Sequence, residues 1–108
     1  MKFDGVLGRT ATCSVRHVFH VLIGTYTQPA EVVEKTRPAH LAWLQEEVDA
    51  GRLLVAGRQE SGAGGLLFTT DIDTHAVQDI IDRDPYTLAG AATYQRISFN
   101  GGVRAAGL

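Results

Sequence analysis

The chain has 108 residues, room for one hydrophobic core and too few for two. Its 44% hydrophobic and 20% charged content is that of an ordinary globular protein, which excludes a disordered or fibrous chain. Twelve acidic residues against ten basic ones give a formal charge of −2, and Lys and Arg nowhere gather into the basic footprint that nucleic acid requires.

Residues 1–14 read as an irregular N-terminal extension, broken by Asp4, Gly5, Gly8 and Arg9 and without the apolar core of a signal peptide. The longest apolar stretch, around Val21–Ile23, falls far short of a bilayer span, so no membrane is expected. Cys13 is the single cysteine and cannot form an intrachain disulfide, which fits a reducing compartment and a cytoplasmic protein.

The domain proper is expected over residues 15–100. His17 to Ile23 is β-branched and aromatic, closes at Gly24, and predicts a first strand. After Pro29, the spacing of Val33, Arg37, His40, Leu41, Leu44 and Val48 predicts one face of an amphipathic helix, ended by Gly51. Pro38 interrupts it. A proline costs about 3 kcal/mol inside a helix and little in its first turn, so either a short turn precedes the main helix or the helix kinks near Arg37.

Leu53–Ala56 and Leu66–Thr70 predict strands two and three, joined as a hairpin by a glycine-rich loop. From Asp73, the spacing of Ala76, Val77, Ile80 and Ile81 is helical again, with Asp73 or Thr74 as N-cap and Pro85 as the stop. Thr93–Phe99 alternates as a fourth strand, and residues 101–108 read as a loose tail.

The order β-α-β-β-α-β predicts an α+β, ferredoxin-like unit, in which both helices cover one face of a four-stranded antiparallel sheet. Strand one is apolar at both parities, with Phe19, Val21 and Ile23 on one side and Val18 and Leu22 on the other. The face opposite the helices therefore needs a cover as well. A partner subunit is the economical one, and a homodimer is expected.

His40 lies on the apolar face of the first helix, three residues after Arg37, which turns a titratable ring inward. The plainer reading is a half-buried histidine satisfied by its neighbours. The sharper one requires a carboxylate that fixes the tautomer, so that the ring can take a proton and return it. Asp84 is the candidate, since a carboxylate at the end of a helix opposes the dipole there, although Asp-Pro is also a common turn former. Asp79 and Asp82 read as solvated helix positions.

His17 and His20 are three apart on a strand and point to opposite faces, so they do not share a metal. His20 is expected at a packing or edge position, and His75 in solvent. No ligand spacing for zinc, no phosphate loop and no dinucleotide fingerprint is present, and no metal or cofactor is expected.

Arg37-Pro-Ala-His40-Leu41, then Ala50-Gly51-Arg52-Leu53-Leu54 and Ala56-Gly57, resembles the YCII-related domain family. Gly64-Gly65-Leu66, Asp84-Pro85-Tyr86, Ala89-Gly90 and Tyr94 continue the resemblance in order, over roughly Val18 to Phe99. The resemblance implies a dimeric α+β barrel similar to muconolactone isomerase, with a His and an Asp as a catalytic pair, here His40 and Asp84. One family member is a dehydrochlorinase of a chlorinated hydroxyhydroquinone, and the resemblance carries fold better than function.

Two functions are therefore weighed. The first is a cofactor-independent acid–base enzyme of the lyase, isomerase or dehydrohalogenase type, acting on a small aromatic or lactone-like substrate. His40 would shuttle the proton, Asp84 orient the ring and Arg37 bind an anion or enolate, unless Pro38 pushes Arg37 aside. Tyr26, Trp43, Tyr86 and Phe68 are candidate pocket walls, because aromatic surfaces suit planar rings. The second is a non-catalytic small-molecule binding or accessory domain, in which the same pair fixes a dimer or senses a ligand.

Overall fold

The structure, a computed structural model, describes residues 17–108. The expected extension over residues 1–14, with Cys13, lies outside the described residues. The elements are β1 (Val18–Tyr26), α1 (Ala30–Asp49), β2 (Leu53–Arg58), β3 (Gly65–Thr69), α2 (Thr74–Arg83), α3 (Pro85–Leu88) and β4 (Ala92–Asn100). They form an α+β, ferredoxin-like fold around one antiparallel sheet of order β2-β3-β1-β4.

β1 does not close at Gly24. It runs on to Tyr26, with Gly24 paired to Tyr94 and Tyr26 to Ala92 across the β1–β4 ladder. The glycine serves its neighbour: a Cβ at position 24 would stand 3.0 Å from Tyr94 Cε1, so its absence lets the tyrosine ring lie across the strand. Gly64 is tighter still, since a Cβ there would collide with the Gly24 carbonyl.

Pairing partners share a sheet face, which assigns the two sides. Leu22, Leu67 and Leu53 face the helices and pack with Trp43, Leu44, Val77 and Ile80 in one core. Each fully buried aliphatic side chain there contributes about 1.5–3 kcal/mol of transfer free energy. The opposite face carries Phe19, Val21, Phe68, Ile97 and Phe99, with the three phenylalanine rings in mutual contact. Ile97 and Phe99 remain 47% and 41% exposed.

Pro38 sits inside a continuous α1, so the helix neither restarts there nor gives way to a preceding turn. The lost N–H would have bonded the carbonyl of residue 34, on a stretch exposed to solvent, which keeps the cost low. The buried stripe is Val33, His40, Trp43, Leu44 and Glu47, while Leu41 and Val48 are exposed. At 100° per residue, the helix is rotated by roughly 50° from the expected face, toward Trp43 and Glu47.

The rotated face carries a buried carboxylate, Glu47, which is paired with two arginines that stay partly exposed. Arg52 donates from Nε and Nη2 to the two carboxylate oxygens of Glu47, at 2.7 and 2.8 Å, and Arg83 Nη2 adds a third contact of 2.7 Å. This clamp joins the end of α1 to the start of β2 and the end of α2. Burial lowers and the Glu47 hydrogen bonds raise the Arg52 pKa, and the net direction is upward, first because of Glu47.

α1 ends as expected, with Gly51 at a φ of +79°. Asp73 is the N-cap of α2, its Oδ1 accepting from the Ala76 N–H at 2.8 Å. After β4, the Gly101 N–H donates to the His17 carbonyl at 2.7 Å, and residues 101–108 form neither helix nor strand.

Candidate functional site

Asp84 and Pro85 build the centre of the site by local rules. A proline disfavours helical geometry at the residue before it, and Asp84 is extended, at φ −61° and ψ 125°. That ends α2. Pro85 then occupies the first position of α3, where no N–H is needed, and Asp84 becomes its N-cap, its Oδ1 accepting from the Tyr86 N–H at 3.0 Å. The carboxylate that opposes the dipole of α2 is thus held by the start of the next helix.

Asp84 is fully buried, and three donors converge on it. His40 Nδ1–H donates to Oδ1 at 2.7 Å, the Tyr86 N–H donates to the same oxygen, and the Tyr94 hydroxyl donates to Oδ2. A buried carboxylate with this set of donors is compensated for the loss of water. The Tyr94 phenol is pushed up, first by burial and then by the negative charge of Asp84, so it remains a donor through the ordinary pH range.

The imidazole is fixed from its face as well as its edge. Tyr86 stacks on the His40 ring at 3.9 Å and 20°, and Tyr26 meets Tyr86 edge-on at 5.8 Å. Burial raises the Tyr86 phenol too. With Nδ1 donating to Asp84, Nε2 carries the lone pair, and it has no hydrogen-bond partner among the described residues.

His40 borders a cleft of about 80 Å³, with Tyr26, Tyr86, Arg37 and Arg58 around the polar side and Leu41, Leu44 and Leu67 among its apolar walls. Of the residues expected in a site, the structure brings together His40, Asp84, Arg37, Tyr86 and Tyr26. The unbroken helix keeps Arg37 one turn from His40, so Pro38 does not divert it. Trp43 is not on the cleft: it lies in the core, where its Nε1–H has no partner. Phe68 is on the other face of the sheet, because it alternates with the inward Leu67.

Two residues at the site were not singled out from the sequence. Tyr94 stood in the family pattern without a role, and strand alternation gave no signal for it, since it shares parity with the polar Arg96 and Ser98. Arg58 lay beyond the expected end of strand two. In the structure its Nε donates to the Tyr26 hydroxyl at 3.1 Å, and its Nη2 to Glu34 Oε2 at 2.8 Å. Those two hydrogen bonds, Glu34 first, raise the Arg58 pKa.

A larger hollow, about 340 Å³, lies beside His20, Asp71, Ile72 and Asp73. His20 is buried there and both ring nitrogens are engaged, Nδ1 with Ser98 Oγ and Nε2 with the Ile72 carbonyl, each at 2.7 Å. It is a satisfied histidine with no free nitrogen, so size and chemistry disagree, and it is the smaller cleft that carries an imidazole with one nitrogen unengaged by the described residues. His17 pairs with Asp71 at 3.1 Å, and His75 is exposed. Among the described residues, no group of three or more His, Cys, Asp or Glu converges on a metal position, and no helix is long and apolar enough to cross a membrane.

Over 82 residues the chain is 40% identical to "Protein YciI" of Escherichia coli O6:H1, an alignment that spans 64% of this chain and 82% of that protein. The same figures hold for "Protein YciI" of Shigella flexneri. Among solved structures, the fold is similar to the 5-chloro-2-hydroxyhydroquinone dehydrochlorinase of Burkholderia phenoliruptrix in complex with 2,5-dihydroxybenzoquinone. That match has a TM-score of 0.55 at 19% identity, covering 76% of this chain and 90% of that one, a likeness of fold alone. The model of the YCII-related domain family matches residues 18–100, from the start of β1 to the end of β4. By sequence match and by fold, this chain belongs to the YCII-related domain family.

Proposed function

We propose that the protein is a cofactor-independent acid–base enzyme of the lyase, isomerase or dehydrohalogenase type, acting on a small aromatic or lactone-like substrate. The observation that carries this is the buried His40–Asp84 hydrogen bond, which leaves Nε2 of a clamped imidazole as the basic atom at a cleft. Nε2 accepts a proton from a carbon made acidic by a neighbouring oxygen, and Asp84 stabilises the imidazolium that results. The electron pair left on the substrate moves into an enolate, whose oxygen is within the field of Arg37. Returning the proton to a second carbon isomerises the substrate. Expelling chloride from the neighbouring carbon completes a dehydrohalogenation instead, and the proton leaves through His40 to solvent.

The similar fold of a dehydrochlorinase motivates the first assay. Wild type is incubated with 5-chloro-2-hydroxyhydroquinone and with a panel of unsaturated lactones, and chloride release and double-bond migration are followed. Turnover by wild type that is lost in His40→Ala, with ligand binding retained, is the expected result. Full turnover by His40→Ala removes the acid–base role, and tight binding of a panel member without turnover by wild type replaces it with a binding role.

A second copy of the chain is proposed to cover the bare sheet face. Phe19, Phe68 and Phe99 are in mutual ring contact there, Ile97 and Phe99 stay largely exposed, and a two-fold pairing of this face with itself would bury that apolar surface. Sedimentation at micromolar concentration should give a dimer, and a folded monomer under those conditions removes this assembly. The single cysteine in 108 residues fits a reducing, cytoplasmic setting.

A further inference from the structure

The cleft beside His40 has two arginines on it and no carboxylate facing them from its walls. Asp84 is behind the imidazole and already accepts three hydrogen bonds. Arg37 makes no hydrogen bond or ion pair with the described residues. Arg58 is occupied: its charge is paired with Glu34, which is 54% exposed and outside the cleft, and its Nε donates to the hydroxyl of Tyr26 on the cleft wall. A solvent-exposed pair of this kind is worth only about 0–1 kcal/mol, so Arg58 is parked rather than fixed.

The size of the cleft adds a second argument. About 80 Å³ is well below the roughly 300–1,000 Å³ of ordinary ligand sites. A neighbouring hollow of about 270 Å³ is lined by Tyr26, Gln28, Ala30, Val33, Glu34, Arg58 and Gly62. Tyr26 and Arg58 belong to both walls. Arg58 thus stands between the two spaces, and together they amount to the lower end of the ligand-site range.

We propose that the site takes small carboxylic acids, and that Arg58 is a latch which exchanges the Glu34 carboxylate for that of the ligand. The inference rests on the acid–base reading of His40 for its chemistry, but its geometry concerns only binding. The ligand carboxylate lies between the guanidinium groups of Arg37 and Arg58, which offer planar paired donors to it. Its carbon skeleton extends along Tyr26 and Tyr86 toward His40 Nε2. Glu34 acts as the competitor that neutralises Arg58 in the empty site. No bond is made or broken in the exchange.

The test uses benzoate, a planar carboxylate, with benzyl alcohol as its neutral counterpart, and measures both dissociation constants by NMR titration of the full chain. Wild type should prefer benzoate. Arg37→Gln and Arg58→Gln should each weaken benzoate about tenfold and leave benzyl alcohol unchanged. Glu34→Gln should tighten benzoate about two- to fivefold, and the gain should vanish in the Glu34→Gln, Arg58→Gln double variant. Glu34, Arg37 and Arg58 all lie outside the hydrophobic core, so these substitutions should spare the fold.

Unaltered benzoate binding by Arg58→Gln, or a gain from Glu34→Gln that persists without Arg58, overturns the latch. Equal affinity for the two probes, or binding of neither, overturns the substrate class. His40→Gln separates this inference from the catalytic one. It should keep the benzoate preference and its dependence on both arginines while turnover is lost, so a failed acid–base role would show in turnover alone.

Discussion

Replacing Tyr94 with phenylalanine isolates one oxygen atom of the buried site. The ring keeps its packing against the core and its place over Gly24, so what is lost is the hydroxyl donation to Asp84 Oδ2. A hydrogen bond to a charged group contributes about 1.5–3 kcal/mol, and the buried oxygen gains no water in exchange, so Tyr94→Phe should destabilise by about 2 kcal/mol at pH 7. The pH dependence gives a second, sharper test. The Tyr94 pKa is raised in the folded state, first by burial and then by Asp84, while the unfolded chain titrates near 10. The stabilisation is therefore complete below pH 10 and is lost as pH rises toward the folded value. Above pH 10 the unfolded state releases a proton that the folded state keeps, and wild type should lose about 1.4 kcal/mol per pH unit from this group. Tyr94→Phe lacks that loss, so the gap between the two proteins should narrow to roughly a third of its pH 7 value by pH 11. Urea denaturation of both from pH 7 to 11 measures it. A gap that is absent at pH 7, or constant to pH 11, refutes the account of Tyr94 as a neutral donor to a charged Asp84.

Three further substitutions probe the frame around the site. Leu44→Ala should cost about 2–5 kcal/mol in urea unfolding, and Leu41→Ala, three residues earlier and exposed, under about 1 kcal/mol; equal effects would contradict the helix orientation. Glu47→Ala should cost about 2–4 kcal/mol, because it leaves Arg52 and Arg83 without the carboxylate that ties three elements together, and Asp79→Ala at the exposed rim much less. Asp84→Asn should retain the fold and, by ¹⁵N NMR of the imidazole, shift the favoured tautomer of His40 away from Nδ1–H; an unchanged tautomer would show that Asp84 does not set it.

What the sequence made legible was what local rules decide. Asp84 and Pro85 stop one helix and start another through the geometry of a single peptide, and His40 falls on the inward side of a 3.6-residue period at either estimate of the helix face. Gly51 and Asp73 mark their helix ends in the same local way. What was hidden depends on partners distant in sequence. Glu47 faces inward only because Arg52 and Arg83 arrive beside it, and a pattern that treats charge as outward turned the α1 face toward Leu41 and Val48. Gly24 reads as a strand end until Tyr94 is placed opposite it. Arg58 reads as a loop residue until the pairing of Arg58 with Gly65 extends β2. Trp43 and Phe68 were grouped with Tyr26 and Tyr86 for their aromatic character, yet the sheet alternation that puts Leu67 inside sends Phe68 out.

The sharing of Asp84 Oδ1 between the His40 ring and the Tyr86 backbone gives the site its own reporter. The Tyr86 amide is protected from hydrogen exchange by the same oxygen that holds the imidazole, so whatever draws the carboxylate away from either donor also loosens the first turn of α3. Deuterium uptake at that single amide thus follows the state of the pair without a substrate or a dye. The Ala76 amide, capped by Asp73 at the start of α2, supplies a built-in reference in another helix. Faster exchange at 86 with 76 unchanged marks a local event at the site, whereas acceleration of both marks a wider opening of the fold.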